Sequence, residues 1–339
     1  MKTQCAGALP VRQYRYDNLK FFLIVLVVVG HFVDQYDAKS DVFKSLFVFI
    51  YSFHMPLFLF VSGLFTREKP VSVEKIIFYF ILGYALKMLI YVVDFIYQKD
   101  PSFSVFSDSN ITWYLFALSV FLILSRWLRS IKPGCLLPFW ILFACFAGYD
   151  SSIADFLYLS RIIVFFPFFL AGYYLTPQKM DALLQSRVLK VIAFFIVFGF
   201  FFLCLFKLDL IYPLRGLFTG RNPYASVSSG TFGFFHRLLC YLISSVVGFS
   251  VIALMPKSRI PVISVFGTRT LQVYFLHKPI QMILCYSHID VILDFGPPFV
   301  WKLLVILLAV VLPFLLSLKV FSYPFERMLA LKRANTKSD

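Results

Sequence analysis

Three of the five histidines, His31, His54 and His277, lie inside long apolar runs. Ionisable groups at membrane depth are costly and by default mark functional sites. Imidazole exchanges a proton near neutral pH, so a histidine in such a place is a candidate general base. The fullest arrangement is residues 16–32, YDNLKFFLIVLVVVGHF, with Asp17 and Lys20 just before the apolar run and His31 inside it. In a helix the eleven positions from Lys20 to His31 leave them about 20° apart around the axis and roughly 16 Å apart along it. Asp17 falls on nearly the same face, where it either orients Lys20 or offsets its charge at the helix N-terminus. One face thus carries a cation at the membrane edge and an imidazole deep in the bilayer. A long ligand with an anionic head and a reactive tail matches that layout.

Entered from opposite sides, the runs holding His31 and His54 place both rings near mid-membrane, and His277 comes to a similar depth. The alternative for each is a histidine hydrogen-bonded across helices as packing glue. His54 opens His-Met-Pro, where Pro56 is expected to kink the helix and open space for a ligand. Ser62 and Gly63 follow, at positions where a ligand or a second backbone comes close. Arg161 either snorkels to the headgroups or partners a ligand in a cavity. Asp34, three residues after His31, reads more as an interfacial acid than as an orienter of the imidazole. Trp113 reads as an interfacial belt aromatic. The polar segment of about 207–235 holds Arg215, Arg221, Asn222 and Tyr224, residues that suit a sugar or simply solvate a loop. There is no HxxxH or HxxE pair, and no acid at ligand spacing beside His54 or His277, so no metal is expected.

The elements that must position these groups are membrane helices. The chain is 60% hydrophobic with 44 Phe and 14% charged residues, and its mean hydropathy is +0.83. Soluble domains are nearer half apolar and about a quarter charged. The +15 net charge does not gather into a polar domain, which argues against nucleic acid as a partner. The fold class expected is all-α: a polytopic integral membrane protein in the lipid bilayer, with about ten transmembrane helices near 20–38, 44–66, 74–97, 111–128, 136–149, 160–177, 188–206, 236–255, 269–287 and 298–320. Both termini are expected in the cytoplasm. Arg12, Arg67, Arg126, Lys179, Arg187, Lys257 and Arg259 then fall inside, while few cations (Lys39, Lys44, Lys99, Lys207, Arg215, Arg221) fall outside. Residues 1–339 form a single domain with a short cytoplasmic tail at about 321–339. The run after Lys20 lacks a small-residue cleavage site and reads as an uncleaved first helix. Cys5, Cys135, Cys145, Cys204, Cys240 and Cys285 form no CxxC pair and read as small buried hydrophobes.

Five segments carry a family resemblance. DNLKFFLIVLVVVGH resembles the opening motif of the membrane acyltransferase 3 family, in its fucose 4-O-acetylase-like branch: a basic residue, ten residues, then His, here Lys20 and His31. Many members have Arg where this chain has Lys. SFHMPLFLFVSGLF (52–65) is similar to the second motif and TWYLFAL (112–118) to the next. SRIIVFFPFFLAGYYL (160–175) resembles the Arg-led motif. FGTRTLQVYFLHKPI (266–280) resembles the late motif, with His277 as its histidine. The matches follow the family's order over about 16–280, and ten spans agree with the family fold.

The resemblance implies an O-acyltransferase that takes acetyl-CoA, or another short acyl-CoA, from the cytoplasm. The acceptor would be a sugar hydroxyl of a cell-surface polysaccharide or its lipid-linked precursor, such as a capsule or exopolysaccharide. A multi-pass location in a bacterial cytoplasmic (inner) membrane fits. Acyl transfer to a hydroxyl needs a base, oxyanion stabilisation and exclusion of water. His31 is the choice for the base, and His54 stabilises the oxyanion or shares the proton work. Lys20 and Asp17 are assigned to acyl-CoA. Arg161, His277, Ser62 and Trp113 are candidates for substrate or oxyanion support. Arg215, Arg221, Asn222 and Tyr224 form a candidate acceptor loop. Direct transfer and an acyl-enzyme both stay open, as does the oligomeric state. Two other classes are weighed: a transporter or flippase of a lipid-linked sugar, for which no inverted repeat is visible, and a non-catalytic membrane scaffold.

Overall fold

The computed structural model describes residues 12–67, 71–97, 103–107, 110–128, 131–227, 229–293, 297–323 and 325. Cys5, both chain ends and most of the expected tail at 321–339 lie outside these residues, as does Lys99. Among the described residues there are helices and turns and no strand. The α-helices in chain order are α1 (Tyr14–Gln35), α2 (Asp41–Tyr51), α3 (His54–Thr66), α4 (Val73–Tyr97), α5 (Trp113–Trp127), α6 (Pro133–Ala147), α7 (Leu159–Tyr173) and α8 (Pro177–Leu183). They continue with α9 (Arg187–Phe206), α10 (Leu208–Ile211), α11 (Arg215–Phe218), α12 (Gly233–Leu254), α13 (Pro261–Phe266), α14 (Thr270–Tyr286), α15 (Ile289–Leu293) and α16 (Pro298–Leu316).

Each of the ten expected spans falls on helix. Among the described residues, seven spans are long and apolar enough to cross a membrane, counting α2 and α3 together as one. Three more are shorter: α5 and α6 have 15 residues each and α14 has 17. The protein is therefore an all-helical, polytopic membrane protein. Exposure sorts the spans. Of the most apolar stretch of α1, 72% is buried within the protein; for α9 the figure is 11%. A helix apolar all round with its surface uncovered belongs against lipid, whereas α1 is the core element. Neighbours α2, α13, α14 and α16 pack against it.

The second span breaks where the sequence points only approximately. The expected kink was at Pro56, but α2 ends at Tyr51 and α3 starts at His54, two residues earlier than the proline. Pro56 then sits in the first turn of α3, where backbone donors have no helical partner to lose. The carbonyl freed at the break is satisfied from outside, since Ser244 Oγ donates to Ser52 O.

Gly63 and Gly172 let α3 and α7 approach closely. A Cβ on Gly63 would run into Phe169 O of α7, and one on Gly172 into Phe60 O of α3. The two helices touch backbone to backbone, so Gly63 serves packing and not ligand approach. The expectation for cysteine holds for Cys145, Cys204 and Cys240, which are buried; Cys285 is half-buried and Cys135 is exposed.

Candidate active site

One stripe of α1 builds the site. Lys20, Ile24, Val27, His31 and Asp34 recur every three or four residues and so share a face. Two cavities open along that stripe. Lys20, Ile24 and Val27 line the first, with a volume of ≈ 260 Å³; Val27, His31 and Asp34 line the second, of ≈ 390 Å³. Val27, Met55, Tyr114 and Tyr274 line both and make up the neck, the boundary that the two cavities share.

The first cavity is mostly apolar, walled by Ile24, Phe58, Phe65 and Tyr79, with Lys20 and Lys75 as its cations. Asp17 does not line it. Its carboxylate takes Lys20 Nζ at 2.9 Å and Arg12 Nε at 2.8 Å, so it anchors a lysine that lines the cavity. The neighbouring Asn18 ties the N-terminal part of α1 to α13 and the segment before it, with Nδ2 donating to Pro256 O (3.1 Å) and Ser258 O (3.0 Å), and Oδ1 accepting from Ser264 Oγ (2.6 Å). Ser62 lines the cavity, donates to Phe58 O at 2.9 Å and lies 3.3 Å from the Tyr114 hydroxyl. It thereby fixes a neck residue.

The second cavity is polar. His31 and His54 both line it, with Tyr51 between them: Tyr51 Oη is 3.4 Å from His31 Nδ1, and the Tyr51 and His54 ring centroids are 4.8 Å apart. His54 Nδ1 lies 2.8 Å from Ile50 O. A carbonyl only accepts, so Nδ1 carries the proton, and in the neutral ring Nε2 keeps its lone pair for the cavity. This is the tautomer a proton acceptor needs. His277 is fully buried and lines neither cavity. Its ring stacks behind His31, at 5.4 Å between centroids and 30° between planes, and its Nδ1 donates to Val273 O at 3.0 Å. One turn further along α14, Gln281 Nε2 donates to His31 O at 2.9 Å. The α14 helix therefore backs the part of α1 that presents His31.

Arg161 and Trp113 differ from their interfacial readings. Both are buried, at 6% and 7% exposure, and both line the second cavity. The guanidinium of Arg161 lies 5.2 Å from the Trp113 ring centroid, and Trp113 stacks on Phe165 at 5.1 Å. A buried arginine is stabilised by an aromatic face in this way. Asp34 also faces the cavity instead of standing as a lone interfacial acid: Arg215 Nη2 reaches Asp34 Oδ1 at 2.6 Å and Asp37 Oδ2 at 2.9 Å. The segment expected as a loop at 207–235 folds into short helical turns that bring Arg215, Arg221 and Asn222 to the cavity. Arg221 is held by both carboxylate oxygens of Asp155, at 2.8 and 2.7 Å from Nε. Tyr224 is the exception. It is buried away from the cavity beneath Gly148 and Gly233, and its hydroxyl donates to Cys145 O at 2.7 Å.

Sequence reasoning missed Tyr51, Met55, Asn110, Tyr114, Tyr274 and Lys278, all of which line the cavities. Met55, Tyr114, Tyr274 and Lys278 lie inside the motif segments, which was the available signal; Tyr51 and Asn110 lie just before two of them.

Residues 13–318 match the acyltransferase domain of the acyltransferase 3 family. No curated protein and no solved structure matches the chain.

Proposed function

Because this chain belongs to the acyltransferase 3 family and is a membrane acyltransferase, we propose that it moves an acetyl or other short acyl group from acyl-CoA to a sugar hydroxyl of a cell-surface polysaccharide or its lipid-linked precursor. The observation that carries this reading is the pair of unlike cavities that lie along the His31 stripe and share four lining residues. The first suits the donor. Lys20, fixed by Asp17, and Lys75 are placed to meet phosphates, while the apolar walls suit a pantetheine arm and exclude water. The roughly 16 Å rise from Lys20 to His31 is of the order of that arm's length. The second cavity, with its histidines, arginines and amides, suits a polyhydroxylated acceptor.

In the reaction, the acceptor hydroxyl in the second cavity gives its proton to His31 as its oxygen bonds to the thioester carbonyl carbon at the neck. The C–S bond then breaks, and the leaving CoA sulfur takes from His31 the proton that came from the hydroxyl, which restores the neutral imidazole. His54 offers a second proton acceptor, and Arg161 a cationic partner for developing negative charge. His277 and Gln281 hold the His31 turn in place. The chain would sit in a bacterial cytoplasmic membrane with the Lys20 end toward the cytoplasm, the compartment that supplies acyl-CoA.

The test is the O-acetyl content of purified surface polysaccharide, measured by NMR, from cells carrying wild type, His31→Ala or no copy, at matched protein levels. Wild type restores the acetyl signals and His31→Ala does not. Acetyl signals restored fully by His31→Ala would remove His31 from the chemistry. Acetyl content independent of the gene would defeat the reading as a whole.

A further inference from the structure

His31, His54 and His277 hold their Nδ1 atoms in two ways. His54 Nδ1 donates to Ile50 O and His277 Nδ1 to Val273 O, in each case the carbonyl four residues earlier in the chain. Nearby backbone thus fixes both of those protons. His31 differs, since its Nδ1 faces a side chain on another helix, Tyr51 Oη of α2, at 3.4 Å. The separation is long for a hydrogen bond, as contacts in a site awaiting its substrate often are. Tyr51 is well placed to keep this position. Its ring stacks on Phe47, at 3.7 Å between centroids and 19° between planes, and the Arg215 guanidinium lies 4.4 Å from the Phe47 ring centroid. Its edge meets α1 at Gly30, where a Cβ would come within 3.1 Å of Tyr51 Cε2. Glycine weakens a helix interior; here, one residue before His31, it makes room for the tyrosine ring.

Either partner of the Tyr51–His31 contact can donate, and the reaction chooses between them. With Nδ1 facing Tyr51, Nε2 is the nitrogen left for the acceptor hydroxyl. Nε2 has a lone pair only when the proton of the neutral ring is on Nδ1. We infer that Tyr51 is a positioning residue for acyl transfer: its hydroxyl oxygen accepts the Nδ1 proton of His31 and keeps the Nε2 lone pair for the acceptor. This rests on the acyl-transfer reading above and adds to it the group that fixes the base. The Nδ1 proton stays in place throughout. Nε2 takes the hydroxyl proton as the new C–O bond forms, which makes the ring an imidazolium, and passes that proton to the CoA sulfur as the C–S bond breaks. A base oriented by a third group recurs in acyl transfer. Here that group is a neutral phenol, which brings no charge into the apolar interior.

Nitrogen NMR at neutral pH on the full chain in nanodiscs, with heavy nitrogen in the histidine rings, tells an Nδ1–H ring from an Nε2–H ring. The signal lost in His31→Gln is that of His31. The expected wild-type form is Nδ1–H. Tyr51→Phe keeps the ring on Phe47 and removes the hydroxyl, so the His31 signal moves toward Nε2–H while those of His54 and His277 stay, a sign that the fold is intact. In cells at matched protein levels, Tyr51→Phe lowers the O-acetyl content of the polysaccharide about tenfold, as expected for one lost hydrogen bond. Binding of radiolabelled acetyl-CoA to their membranes is unchanged. Gly30→Ala keeps the hydroxyl but crowds the Tyr51 ring, and moves both readouts the same way by less. An Nε2–H form of His31 in wild type overturns the inference and leaves acyl transfer standing, and so does a His31 signal that Tyr51→Phe does not move. Acetyl content independent of the gene removes the reading on which the inference rests.

Discussion

The two cavities share four residues, one each from α1, α3, α5 and α14, yet they are built by different means. The Lys20 cavity is shaped by aromatic and aliphatic side chains, and one of its two cations, Lys20, is fixed by a neighbour three residues away, Asp17. The His31 cavity is assembled from distant parts of the chain. Asp34 meets Arg215, Asp155 meets Arg221, and Tyr51 on α2 lies between His31 on α1 and His54 on α3. A flexible, largely apolar arm needs little more than a greasy slot and a charge at its mouth. A rigid polyhydroxylated ring needs polar groups at fixed distances, and these come from several helices. On the proposed reading, donor and acceptor take opposite sides of the neck.

The comparison breaks most sharply at the neck itself. Met55→Trp adds bulk where the two cavities meet, so acyl transfer in reconstituted vesicles is lost while acetyl-CoA binding to the Lys20 cavity persists. Loss of both would mean that the cavities are one site. His31→Ala comes next: transfer falls by roughly 10²–10⁴-fold, the usual worth of a general base, with acetyl-CoA binding unchanged. Isothermal titration alongside single-turnover rates separates the two effects. Lys20→Gln acts on the donor side only. It raises KM for acetyl-CoA about tenfold through loss of a charged contact and leaves kcat nearly unchanged, and an equal rise in the acceptor KM would contradict the division. The smallest effect belongs to Tyr224→Phe, which removes a buried hydrogen bond to Cys145 O. Thermal unfolding in detergent should register a loss of about 1 kcal/mol with transfer intact; a change in acceptor KM instead would return Tyr224 to the cavity wall.

The helices at the ten expected positions were legible because a membrane helix announces itself in runs of apolar residues. The Lys20–His31 stripe was legible because helical periodicity fixes which residues share a face. Arg161 was open to two readings, since at a span's end an arginine can reach headgroups or turn inward with the same sequence around it. Trp113 pointed toward the interface for a similar reason, and only the packing of Phe165 and Arg161 against it turns it into a cavity wall. Tyr224 misled in the opposite direction: a tyrosine in a polar segment suits a sugar, but this one fills the space beside two glycines. His277 shared the depth of the other histidines but not their access.

Sequence alone determined the membrane class, the helices, and the line along α1 that places a cation about 16 Å from an imidazole. All of these follow from local geometry, which each segment carries with it. Tertiary structure decided that there are two cavities and where they meet. It also decided that Asp34, Arg215 and Arg221 belong to one wall, and that His277 stands behind His31 and not beside it. Those relations depend on which helix faces pack together. Packing faces are chosen by the fit of whole surfaces, such as the glycine contact between α3 and α7, and no single stretch of residues contains that fit.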